Sequence, residues 1–188
     1  MRIFFFCVLI CITVLTACKK EKDKSEVIRI EGFELTDALG NSFGEVGNAS
    51  DDWQIRNWSE LSAIEQGFLN FSENVNTDGT ISSMVHSPLA FPNPVYNQSY
   101  IDFRADDSVK VKFALVDSTG KVWKTGFAKF KGAKQFILDV SDPGSFPSKM
   151  SLRYYYSFSA EGQPNFKAGY GDIKICRANN PQWLDECY

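Results

Sequence analysis

From Val109 onward the chain alternates between apolar and polar positions. Val109, Val111, Phe113 and Leu115 are separated by Lys110, Lys112 and Ala114, the period of a half-buried strand. Asp117-Ser118-Thr119-Gly120 supplies turn residues and Lys121–Thr125 resumes the pattern, which predicts a hairpin. Phe136, Leu138 and Val140 mark the next strand, and Ser141–Lys149, with Pro143, Gly144 and Pro147, reads as a loop. Met150, Leu152, Tyr154, Tyr156, Phe158 and Ala160 form the longest alternating run, which Glu161–Asn165 turns back. On the return, Phe166, Ala168 and Tyr170 keep one phase while Ile173 and Ile175 keep the other. A β-bulge at Gly171 would bring all five to one face, since glycine tolerates the backbone required. Burial on both faces without a bulge is the alternative. Tyr155 points opposite to Tyr154 and Tyr156, beside Arg153, so these two residues are the candidate binding face on the outer side of the sheet.

The first third is less regular. Val27–Leu35 reads as a strand, Asp37–Ala49 as a Gly/Asn-rich loop, and Trp53 with Ile55 as a short strand. Leu61, Ile64 and Phe68 fit a helix begun at Ser59 better than one capped by Ser62 with Glu65. Phe71–Thr80 is polar and linker-like. The whole predicts a mainly β protein, an antiparallel β-sandwich with one short helix, its aromatics filling the space between two layers. Residues 27–188 make one domain: an N-terminal extension over 27–80, a sandwich core over 91–176 and a tail over 177–188.

Ahead of that domain, Arg2 precedes an apolar run, Ile3–Val14, that is shorter than the roughly 20 residues needed to span a bilayer. A charged start, a short apolar run and small residues describe a signal peptide. Leu15-Thr16-Ala17-Cys18 resembles the lipobox of bacterial lipoproteins residue for residue. That resemblance implies a signal peptide over 1–17, cleavage before Cys18, and acyl chains on Cys18 that anchor the chain stably. It also implies the outer membrane, on its periplasmic or cell-surface face, because no Asp follows Cys18. Residues 18–26 are charge and serine beyond the cysteine, a solvated tether.

Removing Met1–Ala17 takes one arginine from 20 basic residues and none of the 23 acidic ones, so the net charge goes from −3 to −4. With a low, negative net charge, nucleic acid is not expected as a partner. Of five cysteines, Cys7 and Cys11 lie in the signal and Cys18 is the lipid site, which leaves Cys176 and Cys187. A location outside the cytoplasm permits a disulfide between them, closing RANNPQWLDE. Two free thiols or a metal site are the alternatives, the latter without a histidine nearby.

Phe91-Pro92-Asn93-Pro94, then Ile101-Asp102-Phe103, then VKVKFALVDSTGKVWKTG over Val109–Gly126, resembles the C-terminal sorting domain of the type IX secretion system. That resemblance implies an immunoglobulin-like sandwich over roughly Phe91–Val140. The sorting domain finishes on a short strand and a basic end, whereas this chain continues through RYYYSFSAEGQPNFKAGYGDIKIC to NNPQWLDECY. The implied likeness is therefore one of fold and not of export. The chain is also similar to uncharacterised lipoproteins of the same bacterial group that join a DWQI…W segment to such a sandwich.

Little chemistry is written in the sequence. His86, the single histidine, lies near Ser83 and Ser87 without the surroundings of a nucleophile elbow. Asp51-Asp52 and Asp106-Asp107 lack calcium-loop spacing and read as turn or capping residues. No catalytic residue, metal ligand or cofactor is expected. Asp107-Ser108-Val109 and Asp117-Ser118-Thr119 resemble the acceptor of the O-glycosylation system of that bacterial group, which makes Ser108 and Ser118 candidate sites. The aromatic surplus leaves two function classes. The first is a non-catalytic module that binds another envelope or secreted protein, and the second is a glycan-binding lipoprotein using exposed rings.

Overall fold

The computed structural model describes residues 28–72 and 85–177, and Cys187. Seven strands and one short helix follow one another: β1 (Gly32–Thr36), β2 (Ser42–Gly47), α1 (Ala63–Phe68), β3 (Val85–Phe91), β4 (Gln98–Asp117), β5 (Val122–Asp139), β6 (Ser151–Ala160) and β7 (Gln163–Lys174). All named strand pairs are antiparallel. The protein is a β-sandwich whose two layers are cut from one curled sheet.

β4 makes the curl. Its first half pairs with β3 and its second half with β6, while β5 follows it along both halves. Between Ala105 and Val109 the β4–β5 register slips, and Asp106, Asp107 and Ser108 bulge out. A bulge bends the strand that carries it, and here it folds the layer β3–β4–β5 over the layer β5–β4–β6–β7. Phe103 from the first half meets Tyr156 and Phe158 of β6 edge to face, each at 5.7 Å between ring centroids. Phe113 stacks on Tyr154 at 4.9 Å. The predicted separate strands around Val109 and Phe136 are thus parts of two long ones. Gly126 in β5 faces the Phe113 ring so closely that a side chain there would overlap it.

A second apolar cluster lies outside the β6–β7 layer. Ile28, Leu61 and Leu69 from the N-terminal segment cover Ala114, Val116, Tyr155 and Ala168, with Trp58, Phe68 and Tyr170 packed alongside. This cover explains the phase change in β7. No register slip occurs at Gly171, so the bulge expected there is absent. Ile173 and Ile175 face the sandwich core, and Ala168 and Tyr170 face the second cluster. Gly171 is needed for another reason: the Trp53 indole lies where its Cβ would be.

Three local expectations also change. The Asp37–Ala49 stretch holds the turn and second strand of a small hairpin with β1, and the Asp37 carboxylate accepts from the backbone N–H groups of Leu39 and Asn41. β2 is almost wholly exposed, so no alternation marked it. Trp53 occupies a turn at φ 55° instead of a strand. The helix begins after Ser62, whose hydroxyl accepts from Glu65 N while the Glu65 carboxylate accepts from Ser62 N at 2.8 Å. The Ser59 region forms only a 3-10 turn, Trp58–Glu60.

Candidate functional site

A buried polar cluster sits where the N-terminal segment meets β6 and β7. Arg153 and Asp172 are register partners on those strands. The guanidinium donates from Nε and Nη2 to the two carboxylate oxygens, both at 2.7 Å, and Nη2 also reaches Arg29 O at 3.1 Å. Burial pushes the Asp172 carboxyl upward and the two Arg153 bonds oppose that push. Burial works against the Arg153 charge, but its bonds and charge pairing with Asp172 outweigh that and raise its pKa.

Asp52 joins the cluster from the other chain segment. Its carboxyl accepts from Glu34 N at 2.9 Å and from Asp172 N at 2.5 Å, tying β1 to β7. Burial first, and the Asp172 charge second, push this carboxyl up to about 8. Tyr170 is gripped between two cations, with Arg153 Cζ 4.0 Å and Arg56 Cζ 4.6 Å from its ring centroid. Arg56 donates to the Tyr170 hydroxyl and pairs with Asp51 at 3.2 Å. Above them opens a shallow cleft of about 150 Å³, bordered by Arg29, Glu31, Asn48, Asp51 and this cluster. Arg153 is paired with Asp172, Arg29 with Glu31, and Asp52 accepts from two backbone N–H groups, so the arrangement works as a latch holding the N-terminal segment to the sandwich.

Asn93 completes the latch. It is fully buried, donates through Nδ2 to Glu34 O and Asp172 O at 2.9 Å each, and accepts from Lys174 N at 3.0 Å. The Pro-Asn-Pro step is therefore a polar knot joining β1 and β7.

The expected outer binding face of Tyr155 and Arg153 is corrected. Tyr155 does point away from Tyr154 and Tyr156, but it is fully buried, 5.3 Å from the Phe68 ring and 5.9 Å from Tyr170. The N-terminal segment occupies the surface that would have exposed it. Arg153 is buried in its ion pair and only borders the cleft.

The other sequence candidates lie apart. Cys18 falls outside the described residues, as do Ser83 and Trp183. Ser108 is half-buried in the β4 bulge, and its N–H donates to Asp107 Oδ1 at 2.7 Å. Ser118 is half-buried in the β4–β5 turn, where its carbonyl accepts from Ile28 N at 3.1 Å. That turn is set by Asp117, whose carboxylate accepts from Thr119, Lys121 and the Trp123 indole. Burial alone would raise Asp117, and these bonds outweigh it and hold it below its ordinary value. His86 meets Asp106 at 3.1 Å on the exposed side of β3. Asp107 pairs with Lys131 at 3.3 Å. Cys176 and Cys187 are both buried and disulfide-bonded, with Cα atoms 5.5 Å apart, an ordinary spacing for the bond. Among the described residues no group of three or more His, Cys, Asp or Glu side chains converges as a metal site.

Sequence reasoning passed over the Arg153–Asp172 pairing. Counting back from the Ala160–Gln163 pair at the β6–β7 turn sets position 153 opposite 170. The irregularity between Phe158 and Ala160 moves the register by two, to Asp172. An arginine and an aspartate buried within apolar runs of neighbouring strands were the available signal.

No family model, curated protein or solved structure matches this chain.

Proposed function

We propose that the chain is a lipid-anchored, non-catalytic envelope protein that works as a protein-interaction module at the outer membrane. The observation that supports this reading is where Ile28, ten positions after Cys18, sits on the fold. Ile28, the first described residue, docks on the β4–β5 turn through its bond to Ser118 O. The ten steps from Cys18 to Ile28 span at most about 36 Å, so a lipid on Cys18 would keep this turn within that distance of the membrane. The parts of the sandwich beyond that turn would be available to a partner. Among the described residues no helix is long and apolar enough to cross a membrane; the reading places the attachment at the LTAC sequence.

The glycan-binding alternative needs a platform of exposed rings. Trp53, Tyr154, Tyr155 and Tyr156 are buried, and Trp58 and Trp123 pack against the apolar clusters. The large rings exposed among the described residues, Phe43, Tyr96 and Phe127, come from three separate segments.

Cys18→Ala tests the anchor. It is expected to abolish incorporation of labelled fatty acid and to move the chain from the membrane fraction to the soluble one. Unchanged labelling in that variant would end the lipoprotein reading.

A further inference from the structure

We propose that β5 is the docking edge of this module and that its occupant is an acidic, extended segment of a partner protein, added to the sheet as a further strand. The proposal rests on the interaction-module reading and names the surface that reading requires.

β5 runs along both layers of the sandwich and, among the described residues, pairs only with β4. The competing edges are closed or short. β7 bonds to Trp53 N, Arg56 and Val95 through Tyr170, Ala168 and Lys174. β3 is seven residues long and contains Pro88, which has no N–H to offer. An open strand edge presents backbone donors and acceptors in a row, which is the template for strand addition.

Charge selects the occupant. Lys121, Lys124, Lys129, Lys131 and Lys134 lie on or beside this strand with no acid before Asp139, in a chain of net charge −3. Several of these cations already have neighbours within the chain: Lys131 is shared with Asp107, Lys124 lies in the field of Asp139, Lys129 has a contact of its own, and Lys121 and Lys134 lie over the Trp123 and Phe136 rings at 3.3 and 5.9 Å. A second copy pairing through β5 would set this lysine row against itself, and like charges directly across a strand pair destabilise it. An acidic strand instead places its carboxylates among the ammonium groups.

Shape agrees with charge. Where the two layers part at the β5 edge, a small apolar notch of about 60 Å³ is bordered by Lys124, Phe136, Ile137 and Tyr154. The Tyr154 hydroxyl is fully buried and has no hydrogen-bond partner among the described residues. Ile137 and Phe127 are exposed on the same strand. Backbone pairing would supply affinity, the lysines the preference for acid, and the notch a place for one small side chain.

The test uses the full chain in mild detergent and three labelled peptides, read by fluorescence anisotropy. One alternates glutamate with valine, one alternates lysine with valine, and one has the charge of the first but is interrupted by prolines. The glutamate–valine peptide is expected to bind, the other two to bind at least about tenfold more weakly. The K124E/K134E variant is expected to reverse the preference between the glutamate and lysine peptides. Equal binding of the proline-interrupted peptide would show attraction of charge without strand pairing and overturn the proposal, as would an unchanged preference in the variant.

Crosslinking in intact envelopes separates this proposal from the reading beneath it. Partners captured by the wild-type chain and lost from K124E/K134E support both. Identical capture by the two chains leaves the module standing and removes β5 as its surface. Capture of no protein by either chain overturns the module reading itself.

Discussion

Replacing Arg153 with methionine removes the cation from the latch while keeping a side chain of similar length. The loss strands Asp172, whose carboxylate is 5 % exposed and has the Asp52 carboxyl beside it. Breaking a buried pair by removing one partner costs about 3–5 kcal/mol, because an uncompensated charge stays in the interior. The bond to Arg29 O and the stacking on Tyr170 go as well, but they share the same guanidinium and do not add independently. Against a total stability of roughly 5–15 kcal/mol, a loss of this size is a large fraction. Arg153→Met/Asp172→Leu should recover most of it, since a buried pair exchanged for apolar groups is often near neutral. Asp172→Leu alone should cost less than Arg153→Met, because the arginine can swing into the adjoining cleft and reach water. Urea unfolding of the four chains, followed by tryptophan fluorescence, measures each quantity. The wild-type contribution should persist in high salt, which screens exposed pairs far more than buried ones. If Arg153→Met costs under about 1 kcal/mol, or the double variant is no more stable than the single one, the latch does not hold the segment as argued.

Asp52 makes stability depend on pH. Its folded-state value of about 8 lies above its ordinary 3.8, so the native state holds this proton more tightly than the unfolded chain. The associated stability is complete below about pH 4 and is lost as pH rises through 8, with a slope of up to about 1.4 kcal/mol per unit. Asp52→Asn should flatten the unfolding midpoint between those limits, and an unchanged slope would assign the effect elsewhere. Gly171→Ala should destabilise by about 1–3 kcal/mol by overpacking against Trp53. Trp53→Ala should relieve part of that loss, with denaturation midpoints as the readout. Cys176→Ser/Cys187→Ser should lower stability by about 3 kcal/mol, the chain-entropy value for a loop of this size. Mass spectrometry of the unreduced wild type should find the two cysteine peptides joined.

Alternation alone determined much of the architecture. The strands from Val109 to Ile175, the turns at Asp117–Gly120 and after Ala160, and the mainly β sandwich with one helix follow from a period of two interrupted by turn residues. Such signals are local, since a half-buried strand must alternate wherever its partner lies. What only the tertiary structure decided is what covers the sheet's outer face. Tyr155 lies on the outer side that its phase required, yet Phe68 and the N-terminal segment bury it. The same cover turned the phase change at Gly171 into burial on both faces instead of a bulge. The ion pair of Arg153 with Asp172 hangs on a two-residue register shift beside Ala160. Asp52 and Asn93 bond to β7 across more than 75 positions of chain. No pattern along the chain encodes such contacts, because a buried polar group is satisfied by whichever partner the completed fold brings to it.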